Sequence, residues 1–123
     1  MNKQRRKAIT EAMDELAAAR GKLEEVQAEI RNTKYNLETL KDEEQEYKDS
    51  MPENMQDGDK GQMADEAISQ LEEAVSEAEY ADEALSEAID ILQEQLDVVT
   101  EKLEEASGKL ENAEGAADAA VSG

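Results

Sequence analysis

No cysteine, histidine, tryptophan or phenylalanine occurs in these 123 residues, and there is a single proline. Without Cys and His there is no disulfide, no thiolate nucleophile, no imidazole base and no zinc site built on those ligands. Three tyrosines are the only aromatic residues, which excludes a core centred on aromatic rings. No apolar run approaches the roughly 20 residues of a membrane span, and no short hydrophobic stretch near the start reads as a signal peptide. The expectation is a soluble, cytoplasmic protein of one small domain. Positive charge is also scarce: 13 Lys and Arg stand against 33 Asp and Glu, a formal net charge of -20. What is abundant is Ala, Glu, Leu, Asp and Lys, the composition of long helices.

Periodicity gives the architecture. Ile9, Leu16, Leu23, Ile30 and Leu37 recur every seven residues, and Ala12, Ala19, Val26, Thr33, Leu40 and Tyr47 follow three places later. Read as a and d rows, they predict a coiled-coil helix over residues 4–49. A second register predicts a helix over 62–113. Its a row is Ile68, Val75, Asp82, Ile89, Leu96, Leu103 and Leu110; its d row is Leu71, Ala78, Leu85, Leu92, Val99, Ala106 and Ala113. Asp82 alone breaks that seam. Between the helices, Pro52 ends the first one and biases Met51 away from helix. Ser50 and Glu53 have the spacing of a capping box, with a short helical turn expected over 51–56. Gly58 and Gly61 are expected to free the backbone for the reversal, which occupies 50–61. Gly115 and the small residues after it predict a frayed tail over 114–123.

Two long helices with one short connection predict an all-α, antiparallel coiled-coil hairpin. Charge placement agrees. In antiparallel order, Lys48 faces Asp65, Lys41 faces Glu72 and Lys34 faces Glu79 in one consistent register. Exposed pairs contribute only about 0 to 1 kcal/mol each, so they specify orientation more than stability. The basic cluster Lys3-Gln4-Arg5-Arg6-Lys7 is expected to neutralise the partner helix near Glu104, Glu105 and Glu111. The second helix also has a widened apolar stripe: Ala81, Ala84, Ala88, Ile91 and Val98 adjoin its a/d rows. A second copy of the hairpin laid on that stripe would make a homodimeric four-helix bundle.

Catalytic, cofactor and metal sites are not expected. Carboxylate pairs such as Glu24-Glu25 and Glu104-Glu105 are adjacent, diverge by about 100° on a helix, and share no substrate. A di-iron bundle site of the Glu-x-x-His kind needs His. The turn Asp57-Gly58-Asp59-Lys60-Gly61 has a faint likeness to a calcium loop. Counting twelve places from Asp57 reaches Ile68 where an EF-hand needs Glu.

Charge is unevenly placed. Residues 1–61 hold 15 acids and 11 bases, whereas 62–123 hold 18 acids and 2 bases. From Gln62 to Glu101 there are 13 acids and no Lys or Arg. At 1.5 Å per residue those 40 residues span about 60 Å, or one negative charge per roughly 4.6 Å. Duplex DNA carries one per roughly 1.7 Å, and two such helices side by side reach about 2.3 Å. Direct contact with nucleic acid or an anionic membrane is disfavoured, and a partner with a basic surface is favoured.

Residues 42–56, DEEQEYKDSMPENMQ, carry a D-E-E-Q-E segment followed by a P-E-x-x-Q turn and then an acidic helix. Over the end of the first helix, the turn and the start of the second, about a third of the chain, the sequence resembles small acidic helical proteins of phages and prophages, most of them uncharacterised. The resemblance implies a phage context in a bacterial cytoplasm, where small acidic proteins often inhibit host defence or DNA-processing enzymes. Together with the charge pattern, this points to a non-enzymatic inhibitor that imitates nucleic acid on the basic surface of a host protein such as a nuclease. Its contact residues would be Glu72, Glu73, Glu77, Glu79, Asp82, Glu83, Glu87, Asp90, Glu94, Asp97 and Glu101, with Tyr35 and Tyr80 as outward anchors. The alternative is a structural or assembly coiled coil whose Ala/Ile/Val stripe binds partner helices, the charge serving only solubility.

Overall fold

The computed structural model describes the backbone over residues 3–122 and side chains over residues 3–108. Three helices account for nearly all of it: α1 (Lys3–Asp49), α2 (Glu53–Gln56) and α3 (Asp59–Ser122). No strand occurs among the described residues. The chain divides into two compact units, one of residues 1–22 and 88–123 and the other of residues 23–87.

The unit of residues 23–87 is a helical hairpin. Lys34 pairs with Glu79 at 3.2 Å and Lys48 pairs with Asp65, so a step of fourteen residues up α1 matches fourteen back down α3. That is the antiparallel register read from charge. Lys41 and Glu72, the middle pair of that series, form no ion pair here. In the unit of residues 1–22 and 88–123 the order is also antiparallel. Arg6 donates to Ser107 Oγ at 3.3 Å and Arg20 donates to Gln93 Oε1. Arg6 thus meets a hydroxyl rather than Glu104 or Glu105, while the side chain of Glu111 lies outside the described residues.

The register of α3 is as the heptads predict: Ala64, Ile68, Val75 and Leu96 are buried, and Leu71, Ala78, Leu85, Leu92 and Val99 are half-buried. The register of α1 is not. Its shared row Ile9, Leu16, Leu23, Ile30 and Leu37 does turn inward. The expected d row, however, faces out, with Val26 at 43%, Leu40 at 50% and Tyr47 at 51% exposure. In its place the row Arg6, Met13, Arg20, Gln27, Lys34, Lys41 and Lys48 is drawn inward. The competition explains it. The expected row is weakly apolar, diluted by Ala12, Ala19 and Thr33. The row that wins sets cations and one amide beside the acids of α3, while long aliphatic stems cover the seam.

The reversal differs from expectation in three details. Ser50 makes no capping box: its hydroxyl donates back to the Glu46 carbonyl at 2.8 Å and its amide to the same oxygen at 2.9 Å, so it still belongs to the end of α1. Pro52 is the N-cap of α2, with φ -57° and ψ 145°, and no side chain caps that helix. The glycines do not supply a left-handed backbone, because no residue there has positive φ. Gly61 is required for closeness instead: a Cβ on it would lie 1.7 Å from the Gln56 carbonyl oxygen. At Gly58 the nearest such contact is an ordinary 3.4 Å, to the Met55 carbonyl oxygen. The turn is fastened by Gln56 Nε2 to the Met51 carbonyl at 3.0 Å and by Gln62 N to the Gly58 carbonyl at 2.9 Å.

α3 starts at Asp59, earlier than expected, and runs to Ser122 where a stop near 113 and a frayed tail were predicted. Ala113, Ala116, Ala117, Ala119 and Ala120 have the best helix propensity, and together they outweigh the cost of about 1 kcal/mol for Gly115.

Candidate protein-binding surface

The acidic face is built by one long helix whose a/d rows are occupied inward, leaving its b, c, e and f positions in water. Glu72, Glu73, Glu77, Glu79, Glu83, Glu87, Asp90, Glu94, Asp97 and Glu101 are all exposed. Two of them have partners on their own unit: Glu79 takes Lys34, and Asp97 accepts from Gln93 Nε2 at 2.8 Å. Tyr35 and Tyr80 stand well out from the surface, as outward positions should. No cluster of acidic side chains suited to a metal ion occurs among the described residues, and none of their helices is long and apolar enough to cross a membrane.

Asp82 does not belong to that outward face. It sits in the seam of the 23–87 unit, where Gln27 is the one buried polar residue described. Gln27 Nε2 donates to Asp82 Oδ1 at 2.7 Å and to Ser86 Oγ at 2.6 Å, and approaches the Asp82 carbonyl at 3.3 Å. Arg31 Nε reaches both carboxylate oxygens of Asp82 at 3.1 Å. The hydrogen bond from Arg31 is the main reason the Asp82 carboxyl is held below the ordinary value of 3.8. The bond from Gln27 and the charges of Arg31 and Lys34 add to it against a smaller opposing effect of burial. An acid that looked like a flaw in the heptad is the centre of a satisfied polar layer. Its donors could have been suspected from the antiparallel register, which places Arg31 opposite residue 82.

The stripe read as a dimer seam is exposed where it is bulky. Ile91 is 60% and Val98 44% exposed, Ala84 is exposed, and Ala81 and Ala88 are half-buried beside the seam. The outward row Val26, Leu40 and Tyr47 was missed as surface, because its spacing is equally good for a core row. On the 23–87 unit its Tyr47 lines a groove of about 400 Å³ together with Glu44, Lys60, Met63, Ala64 and Ala67.

These features define a class: an all-α protein of antiparallel helix pairs with a thin core, an exterior on α3 that is acidic without a base from Gln62 to Glu101, and bulky apolar residues left in water. No family profile, curated protein or solved structure matches the chain.

Proposed function

We propose that the protein is a non-catalytic inhibitor that binds the basic, nucleic-acid-binding surface of a host defence or DNA-processing enzyme, in a phage context, as an acidic mimic of nucleic acid. The observation that carries this is the run of acids from Gln62 to Glu101 without one Lys or Arg, all of it but Asp82 presented to solvent. A field of one sign attracts a basic cleft over a Debye length of about 10 Å at 0.1 M salt and repels nucleic acid itself. Reversing Glu73, Glu87 and Glu94 to Lys alters one outward row and leaves the a/d rows intact. Helicity is expected to persist, because Lys and Glu have similar propensity. Affinity for the basic partner recovered from bacterial lysate is expected to fall several-fold per charge at low salt. Equal binding by variant and wild type at low and high salt alike rules out acidic mimicry.

Pairing of two copies is part of the proposal, since a single α3 falls short of the charge density of a duplex by nearly a factor of three while two side by side approach it. The exposed Ile91 and Val98 support it. Replacing both by Glu is expected to convert a sedimenting dimer into a monomer without melting the hairpin. A wild type that is already monomeric at tens of micromolar removes this part of the proposal.

A further inference from the structure

We propose that the flank of the 23–87 unit carrying Val26, Leu40, Tyr47 and Met63 is a docking groove for a basic amphipathic helix of another protein. It adjoins the acidic face of α3 and shares Glu73 and Glu77 with it, but its apolar row is distinct, and it stands whether or not that face imitates nucleic acid.

The two flanks of this hairpin are chemically different. On one, α1 and α3 are tied together by Arg31 to Asp82, Lys34 to Glu79 and Lys48 to Asp65. Lys41 is half-buried in the same row of α1 as Lys34 and Lys48. These four are the bases of α1 within the unit, and all are drawn to the seam or to that side. The opposite flank is left with the row Val26, Leu40 and Tyr47 on α1 and the small residues Ala67 and Ala74 on α3. Tyr47, Met63 and Ala67 share the walls of one groove there. Half of the Leu40 and Tyr47 surfaces and most of Met63 remain in water, and an exposed apolar patch of neighbouring side chains is a common mark of an interaction surface.

The charges along this flank, beyond the groove's own Glu44 and Lys60, name its occupant. On α1 the next row outward carries Glu29 and Glu43, and on α3 the bordering rows carry Glu66, Glu73 and Glu77, all exposed. Lys60, at the turn end, is the one base on this flank within residues 23–87. A helix that fits must present an apolar stripe with Lys or Arg along both edges, so that its charges meet acids on either side as its stripe covers Leu40 and Tyr47. A second copy of the same flank brings the wrong rims, because acid would face acid along both edges.

The test uses the full chain and three synthetic helical peptides of equal length. One has a Leu stripe edged with Lys, one the same stripe edged with Glu, and one the residues of the first in scrambled order. The Lys-edged peptide is expected to bind, to outcompete its scramble by about tenfold, as one buried anchor would, and to retain part of its affinity in 0.5 M salt. Leu40→Gln together with Tyr47→Gln should remove that advantage while leaving the melting temperature near wild type, because both residues are half in water. Glu73, Glu87 and Glu94 reversed to Lys should weaken both Lys-rich peptides and leave the preference for the stripe in place. Equal binding of the amphipathic and scrambled peptides, in wild type and double variant alike, overturns the groove while acidic mimicry survives. A wild type that sediments as a dimer and becomes a monomer on replacing Leu40 and Tyr47 overturns it too, because the occupant is then a second copy.

Discussion

Gly61→Ala is expected to destabilise the protein strongly, although Ala is a better helix former than Gly and position 61 lies inside α3. Propensity alone would predict a gain of up to about 1 kcal/mol. Packing reverses the sign. The added methyl would sit 1.7 Å from the Gln56 carbonyl oxygen, 2.4 Å from its carbon and 2.9 Å from its Cα. All three are backbone atoms of α2, which cannot rotate aside as a side chain would. The α2–α3 junction must open, and overpacking of this kind costs about 1 to 3 kcal/mol or more. In a chain of this size that is a drop in melting temperature on the order of 10 °C. Gly58→Ala is the control. It meets only an ordinary contact at 3.4 Å, and its melting curve should stay close to wild type. If the two variants melt together, the close approach at Gly61 does not govern the turn.

The second large effect belongs to the polar layer. Gln27→Leu keeps the volume and helix propensity of the site but removes the donor to Asp82 and Ser86. Leaving those acceptors short is expected to cost about 1 to 3 kcal/mol in a urea or thermal melt. Replacing Asp82 by Leu as well should recover most of the loss, since a buried polar group and its partner can be exchanged for apolar contact with little net effect. What the double variant should lose is uniqueness of register, the best-attested role of a polar residue in a coiled-coil seam. Spin labels at Asn36 and Ser76 on the facing helices read this directly, as one short distance in wild type and a broad distribution in the double variant. The layer also has a pH signature. Because Asp82 has a lowered pKa in the folded protein, its contribution is complete at neutral pH and disappears as the pH falls through that lowered value. The stability difference between wild type and Asp82→Asn should therefore hold steady down to about pH 5 and close on further acidification. A difference that grows in acid contradicts the Arg31 and Gln27 bonds as its source.

By itself the sequence determined the helices, their antiparallel order and the register of α3. Heptads sustained over many turns have no alternative but helix, and Pro52 leaves no doubt about where α1 must stop. The pairing of Lys34 with Glu79 and of Lys48 with Asp65 was legible because charge sign, unlike hydrophobicity, distinguishes one antiparallel alignment from its neighbours. The exposed acids of α3 were legible for the same reason: they lie off the a/d rows. Which face of α1 turns inward was decided only by tertiary structure. The row through Ile9 and Leu37 is flanked by two candidates, and sequence ranks Val26, Leu40 and Tyr47 above Gln27, Lys34 and Lys48 on hydrophobicity alone. Packed against α3, the polar row gains partners for Asp82, Glu79 and Asp65 that the apolar row cannot supply, and its aliphatic stems still cover the seam. The same rotation gave Asp82, already on the seam row of α3, its donors Gln27 and Arg31, and left Leu40 and Tyr47 in water. Gly61 belongs to this second kind of knowledge as well. Its need is set by a carbonyl five residues away that comes close only once α2 and α3 have folded against each other.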